Sequence, residues 1–316
     1  MPEWVSEQGI GETRFALLDG DHILAARVEP EGMMAAGTRV EARLKVTRPR
    51  PVALLENGGE VLLKAAPRGV TEGGRFMLEI TRPALPGPEP WKRALGRAAA
   101  DAPAAFDTLD AAALMVPDVA DRLGKAGWDE LLGQAADGRV AFAGGELLLA
   151  LTPAMTVIDV DGWLAPEELA IAGARAAGAA IRRLDIQGNI GIDLPSVAGK
   201  AARQAAAEAL DESLGGEAFE RTGVNGFGLL QVVRPRRRPS LLELAHDAAA
   251  FAARALLRRS ALGGHGPVRL AAHPTVAAVL ERNGGWLDEL ARQRGGAISL
   301  RVDPGLAMSG SHAEPV

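Results

Sequence analysis

Hydrophobic positions change their spacing along this chain, and the change divides it. Between residues 13 and 83 apolar and polar residues tend to alternate at a period of two, the mark of half-buried strands. "TRFALLDGDHILAARVEP" holds two such runs about Asp19-Gly20, a hairpin signal. "GTRVEARLKVT" alternates with period two, "PVALLENGGEVLLKAA" predicts a second hairpin about Asn57-Gly58-Gly59, and "GGRFMLEITRP" supplies one more strand, closed by Pro83. Short strands with tight turns over residues 36–83 predict a small closed barrel of the OB type. "PALPGPEPW", with four prolines in residues 83–90, predicts a linker.

From Trp91 the period shifts. "WKRALGRAAADAPAAFDTL" and "VADRLGKAGWDELLGQA" read as helices. "GRVAFAGGELLLALTPAMTVIDV" reads as three strands with turns at Gly144-Gly145 and Thr152-Pro153. "APEELAIAGARAAGAAIRRL" is a long helix with Pro166 near its start. "GNIGIDL" is a strand ending in Asp193, and "SVAGKAARQAAAEALDESLGG" a helix opened by Ser196 and closed by Gly215. "GFGLLQVVRP" is a strand, "SLLELAHDAAAFAARALLRR" a helix, and residues 267–304 read strand, helix, helix, strand. "AMSGSHAEPV" reads as a loose tail. Strands alternating with helices predict a mixed α/β body after residue 90.

Composition narrows the function classes. A chain of 316 residues suggests two or three units, and 47 % hydrophobic residues suffice for a sizeable core. A net charge of −5 argues against a protein that coats nucleic acid, although a local basic groove remains compatible with it. With no cysteine there is no disulfide, no thiolate zinc site and no cysteine nucleophile. Residues 1–10 carry Glu3 and Glu7 and no apolar stretch, and no apolar run reaches about 18 residues. These features predict a cytoplasmic protein without membrane association.

Asp159 and Asp193 each stand near the carboxyl end of a predicted strand, with one long helix between them. Such strands commonly lie side by side with their carboxyl ends facing one crevice. Two carboxylates there repel unless a cation lies between them. Magnesium takes oxygen ligands, keeps several waters and commonly binds one or two carboxylates plus substrate phosphate. Asp161 shares their side if the strand continues, as a third ligand or as a partner to a metal-bound water. The alternative is that these are ordinary solvated acids at strand ends.

A resemblance bears on that choice. "GRVAFAGGELLLALTPAMTVIDVDG" resembles the stretch that leads into the catalytic centre of the ribonuclease E/G family. "AAIRRLDIQGNIGIDL", "NGFGLLQVVRPRRRPSL" and "RLAAHPTVAAVLERNGGWLDELARQRGGAISLRVDPGL" resemble its later motifs, in order, and "RFALLDGDHILAARVE" its opening hairpin. The resemblance implies ribonuclease-H-like and deoxyribonuclease-I-like catalytic layers with an inserted OB-type barrel. The implied divisions are 1–35 and 85–150 for the ribonuclease-H-like layer, 36–84 for the barrel, 151–260 for the metal-binding region and 261–316 for a small αβ region with the tail. It implies a magnesium-dependent endoribonuclease of single-stranded RNA, with manganese as a substitute ion and Asp159 and Asp193 as ligands. The family's asparagine falls on Asp161. The other reading is a non-catalytic RNA-binding or regulatory relative.

Several family features are missing. The cysteine pair that clasps zinc between protomers has no counterpart, so a monomer or weak homodimer is expected. Residues 84–137 hold no evident 5′-monophosphate sensor. The barrel lacks obvious stacking aromatics, leaving Phe76 as a base contact or a core residue. Gly226 and Gln231 replace the family's arginine and glutamate. For RNA contact the candidates are Arg234, Arg236, Arg237 and Arg238, which are able to clamp phosphates or to form a solvated cluster. Lys200 and Arg203 face either the same groove or solvent, and the cations of "GTRVEARLKVTRPRP" either line an RNA face or an ordinary strand. The five histidines show no ligand spacing.

Overall fold

A computed structural model describes residues 1–87, 92–100, 109, 111–114 and 120–316. Its strands are β1 (Glu3–Gln8), β2 (Glu12–Asp19), β3 (His22–Pro30), β4 (Arg39–Val46), β5 (Val52–Leu54), β6 (Glu60–Leu63), β7 (Arg75–Arg82), β8 (Ala94–Ala98), β9 (Ala112–Ala113), β10 (Arg139–Phe142), β11 (Gly145–Leu151), β12 (Thr156–Gly162), β13 (Gly188–Asp193), β14 (Glu220–Arg221), β15 (Leu229–Arg234), β16 (Val268–Ala272), β17 (Ile298–Val302) and β18 (His312–Pro315). The helices are α1 (Arg122–Lys125), α2 (Trp128–Asp137), α3 (Pro166–Arg183), α4 (Lys200–Leu214), α5 (Leu241–His246), α6 (Ala248–Leu262), α7 (Pro274–Arg282) and α8 (Gly284–Arg294). The result is a mixed α+β protein. No helix among the described residues is long and apolar enough to cross a membrane.

The chain forms two compact units, both discontinuous in sequence. One gathers Met1–Glu31, Ala111–Ala136 and Leu244–Val316; the other gathers Gly32–Asp110 and Asp137–Glu243. In the first, β3-β2-β1-β9 form a sheet and β17-β16-β18 a second, smaller one. Ile10, Leu256, Leu257, Leu270, Val276 and Leu280 belong to its core. Beside them lies a buried ionic network. Arg14 donates to Glu7 at 2.6 Å and to Glu12 at 2.7 Å, Arg254 to Glu12 at 2.8 Å, and Arg258 to Glu7 at 3.0 Å and Asp121 at 2.6 Å.

The predicted loose tail is not loose. β18 pairs antiparallel with β16, and Ser311, buried just before it, accepts a hydrogen bond from the His273 backbone at 3.2 Å. The predicted helix over residues 240–259 is two helices, because Asp247 breaks the run and its side chain caps Ala250 at 3.1 Å.

In the second unit, β4-β5-β6-β8-β7 close into a five-stranded barrel around Ala42, Leu44, Val61, Leu63, Leu78 and Ile80. Phe76 packs against this core. The helix expected from residue 91 is corrected here. Residues 94–98 form β8, parallel to β6 and antiparallel to β7, because these bonds close the barrel and outweigh alanine's helix preference. The rest of that expected helix, at 101–108, and residues 88–91 of the expected linker lie outside the described residues.

The same unit holds a six-stranded sheet in the order β10-β11-β12-β13-β15-β14. Only β12 and β13 run parallel, joined through α3. Pro166 opens that helix, as expected, and helix α4 packs beside it. Ile158 and Val160 turn toward the helices and are buried. At Gly173 an added Cβ would stand 2.3 Å from Val160 Cγ1, so the missing side chain lets α3 rest directly on β12.

Candidate metal and nucleic-acid site

Strand alternation decides where the acids go. Because Ile158 and Val160 face the helix layer, Asp159 and Asp161 face the other side of the sheet. β12 and β13 pair in parallel with Asp159 opposite Asp193, so the two carboxylates are register neighbours on strands roughly 4.8 Å apart. Asp161 lies one same-face step further, roughly 6.6 Å along the strand, and its cross-strand partner on β11 is Glu146. The strands therefore bring together the pair Asp159 and Asp193. Among the described residues no group of three or more histidine, aspartate or glutamate side chains closes into a ligand set, while the charge of Asp161, the expected third ligand or partner to a metal-bound water, acts on Asp159.

The pair is electrostatically unbalanced. Burial, then the charges of Asp161 and Asp193, push the Asp159 carboxyl above its usual value, against a hydrogen bond from the Val160 backbone that lowers it. Among the described residues no lysine, arginine or histidine forms an ion pair with Asp159, Asp161 or Asp193. Hard oxygen donors without a cation side chain fit a divalent ion that keeps several waters.

The basic run does not stand over this pair. Arg234 is buried and donates to the Ile186 carbonyl at 2.6 Å and to Glu217 at 2.7 Å. Arg236 donates to Glu243 at 2.5 Å and to the Gln187 carbonyl at 2.9 Å. Arg238, also buried, donates to Asp185 at 2.6 Å. The three guanidiniums expected as a phosphate clamp are thus engaged inside the protein, where they tie the end of β15 and the segment after it to the turn between α3 and β13. Arg237 is exposed, and its backbone N–H bonds Gln187 Oε1 at 2.6 Å. A signal for this role was present in Ser240-x-x-Glu243, a capping box in which Glu243 Oε2 accepts from Ser240 N at 2.8 Å while Ser240 Oγ accepts from Glu243 N at 3.2 Å.

Arg203 is likewise engaged, donating to the Val197 and Ala198 carbonyls at 2.9 Å each, and so fixes the loop that follows Asp193. Lys200 is exposed on the first turn of α4. That helix starts at Gly199 without a side-chain cap; Ser196, the expected cap, donates instead to the Phe227 carbonyl at 3.0 Å. On the barrel, the alternating cations meet acids: Arg39 pairs with Glu79 at 3.4 Å, Lys45 with Glu60, and Arg75 with Glu41 at 3.2 Å.

No family model matches this chain, and no curated protein does.

Two residues at the site escaped the sequence reading. Trp163 and Phe227 are 78 % and 84 % exposed. Trp163 N donates to the Gly144 carbonyl at 3.1 Å, continuing the β11–β12 ladder past Asp161. Phe227 tops the turn that enters β15, whose first residue, Leu229, is the register partner of Asp193. The signal was an aromatic set in the glycine-rich stretches "DGW" and "NGFG", where no apolar periodicity calls for a core residue.

Proposed function

We propose that this chain hydrolyses phosphodiester bonds of single-stranded RNA with a magnesium or manganese ion, in the manner of the ribonuclease E/G family. The observation that carries the reading is the register pairing of Asp159 with Asp193, two carboxylates that no cationic side chain among the described residues offsets. The collinear motifs support it, and so does the five-stranded barrel, which has the strand number of an OB-type RNA-binding module. On this reading the six-stranded sheet corresponds to the deoxyribonuclease-I-like layer, and the unit containing the first hairpin to the ribonuclease-H-like one.

Asp159 and Asp193 would hold the ion, whose chemistry when bound would be to acidify a water and to offset charge on the phosphoryl oxygens. Asp161 adds a negative charge where the family has a neutral amide, and strengthens the demand for a cation at Asp159. Arg203 holds the loop after Asp193 in place. The guanidiniums of Arg234, Arg236 and Arg238 position the neighbouring strand rather than the substrate. The test is cleavage of an unstructured RNA with and without magnesium. Asp159→Asn and Asp193→Asn each remove a ligand charge with little change of volume, and each abolishes magnesium-dependent cleavage. Cleavage at the parental rate in both variants refutes the assignment. A parent protein that binds RNA and never cleaves it would instead be the non-catalytic relative.

A further inference from the structure

Most aromatic side chains of a folded chain are buried, because leaving a ring in water forgoes a large favourable burial term. This chain spends few residues on aromatics: five tryptophans, seven phenylalanines and no tyrosine. Trp128 is fully buried and Phe15 nearly so. Among the described residues only two aromatics stand out as strongly exposed, Trp163 and Phe227; Trp163 follows the strand of Asp159 by one residue, and Phe227 stands two residues before Leu229, the register partner of Asp193.

Their backbones are held. Trp163 directly follows β12, two positions past Asp161, and its N–H donates to the Gly144 carbonyl at 3.1 Å, which fixes the chain there beside the end of β11. Asn225 Oδ1 accepts from both Phe227 N at 2.9 Å and Leu229 N at 3.1 Å. Ser196 bonds the Phe227 carbonyl, and Leu194 N donates to the Gly228 carbonyl at 3.2 Å. Gly228 has φ +91°, and a Cβ there would meet the Leu194 carbonyl oxygen at 2.0 Å, so a larger residue would push the turn away. Phe227 is therefore carried on a turn bonded to the residues that directly follow Asp193.

The geometry points to a nucleobase platform. Trp163 and Phe227 stack bases of a single-stranded RNA on either side of the phosphodiester that the Asp159–Asp193 pair addresses. This inference rests on the reading of that pair as an RNA site. Stacking suits the rings because every base offers a π-face, so the platform accepts any sequence. The barrel's own candidate, Phe76, is partly buried and packs against the barrel core. A second copy of this chain is the rival occupant, but three carboxylates without ion pairs on this face repel their own copies.

The experiment uses the full chain in EDTA, so that no cleavage occurs, with a short oligoadenylate and an abasic oligomer of equal length as probes. Oligoadenylate quenches tryptophan emission in the parent and binds more tightly than the abasic oligomer. Trp163→Phe keeps the affinity and loses most of the quench. Trp163→Ala and Phe227→Ala each weaken oligoadenylate binding, by about tenfold where a stacked base contributes about 1.4 kcal/mol, and leave abasic binding unchanged. Phe227→Leu, which retains bulk but no π-face, behaves like the alanine variant. Equal binding of the two probes by the parent overturns the platform, as does parental affinity in both alanine variants. A dimer that dissociates in those variants while RNA affinity stays constant overturns it in favour of self-association. The two readings fail separately. Base-dependent quenching without magnesium-dependent cleavage sinks the hydrolase and leaves the platform. Undiminished cleavage of limiting RNA by the double alanine variant sinks the platform and leaves the hydrolase.

Discussion

Replacing Asp159 by asparagine tests the electrostatics of the site without any substrate. The change keeps the shape of the side chain and removes one charge. In the parent, burial and two neighbouring carboxylates hold the Asp159 value above that of an unfolded chain. Between the unfolded and folded values the folded state binds the extra proton, so stability falls as pH rises through that window. Above both values the folded protein carries the full repulsion. Two charges on strands roughly 4.8 Å apart repel by about 3.5 kcal/mol at an effective dielectric of 20 and by about 0.9 kcal/mol in water. Asp193 is exposed, so screening favours the lower end, about 1 kcal/mol. In EDTA at neutral pH, Asp159→Asn should therefore melt roughly 2 °C above the parent. Below the carboxylate range the two proteins should melt together. On the proposed reading magnesium should reverse the order: at about 100 times its dissociation constant the ion should stabilise the parent by about 2.7 kcal/mol and the variant hardly at all. Differential scanning calorimetry across pH, with and without magnesium, reads all three comparisons. A variant less stable than the parent in EDTA, or an equal magnesium shift in both, refutes the reasoning.

Arg238→Ala leaves Asp185 buried and unpaired, so urea unfolding should show a loss of about 3–5 kcal/mol, while the salt dependence of RNA binding stays parental. Deleting residues 308–316 strips β18 from β16 along with the Arg301–Glu314 ion pair; hydrogen exchange should speed up at Leu270 and Ala271, and unchanged protection there would mean that the tail contributes nothing.

What the sequence disclosed depended on how local each cause was. The hairpins at Asp19-Gly20 and Asn57-Gly58 and the three strands before Asp161 follow from alternation and turn residues, and all form. Asp159 and Asp193 were legible because each ends an apolar run. β8 was not, since an alanine-rich pentapeptide reads as helix until two distant strands claim its hydrogen bonds. β18 was hidden in the same way, by a partner more than 40 positions upstream. The arginine run misled because charge is visible in sequence and burial is not. Asp185, Glu217 and Glu243 neutralise it from separate elements. Trp163 and Phe227 pose the opposite problem: an apolar letter suggests a core, and only the glycine-rich, aperiodic stretches around them hint that these rings stay in water.

The division of the chain has a consequence for its synthesis. Glu12 and Arg254 are 242 positions apart, and Glu7 and Arg258 are 251 apart. At roughly 5–20 residues per second, the opening hairpin leaves the ribosome some 10–50 seconds before its buried partners exist. The barrel and the six-stranded sheet, complete by Glu243, finish first. During that interval Glu7, Glu12 and Arg14 should lie on strands that still lack the cover of α6. Their charges keep water around the waiting hairpin and discourage it from pairing with other nascent chains. When α6 arrives it brings Arg254 and Arg258 together, and a late segment completes the unit that a much earlier one began.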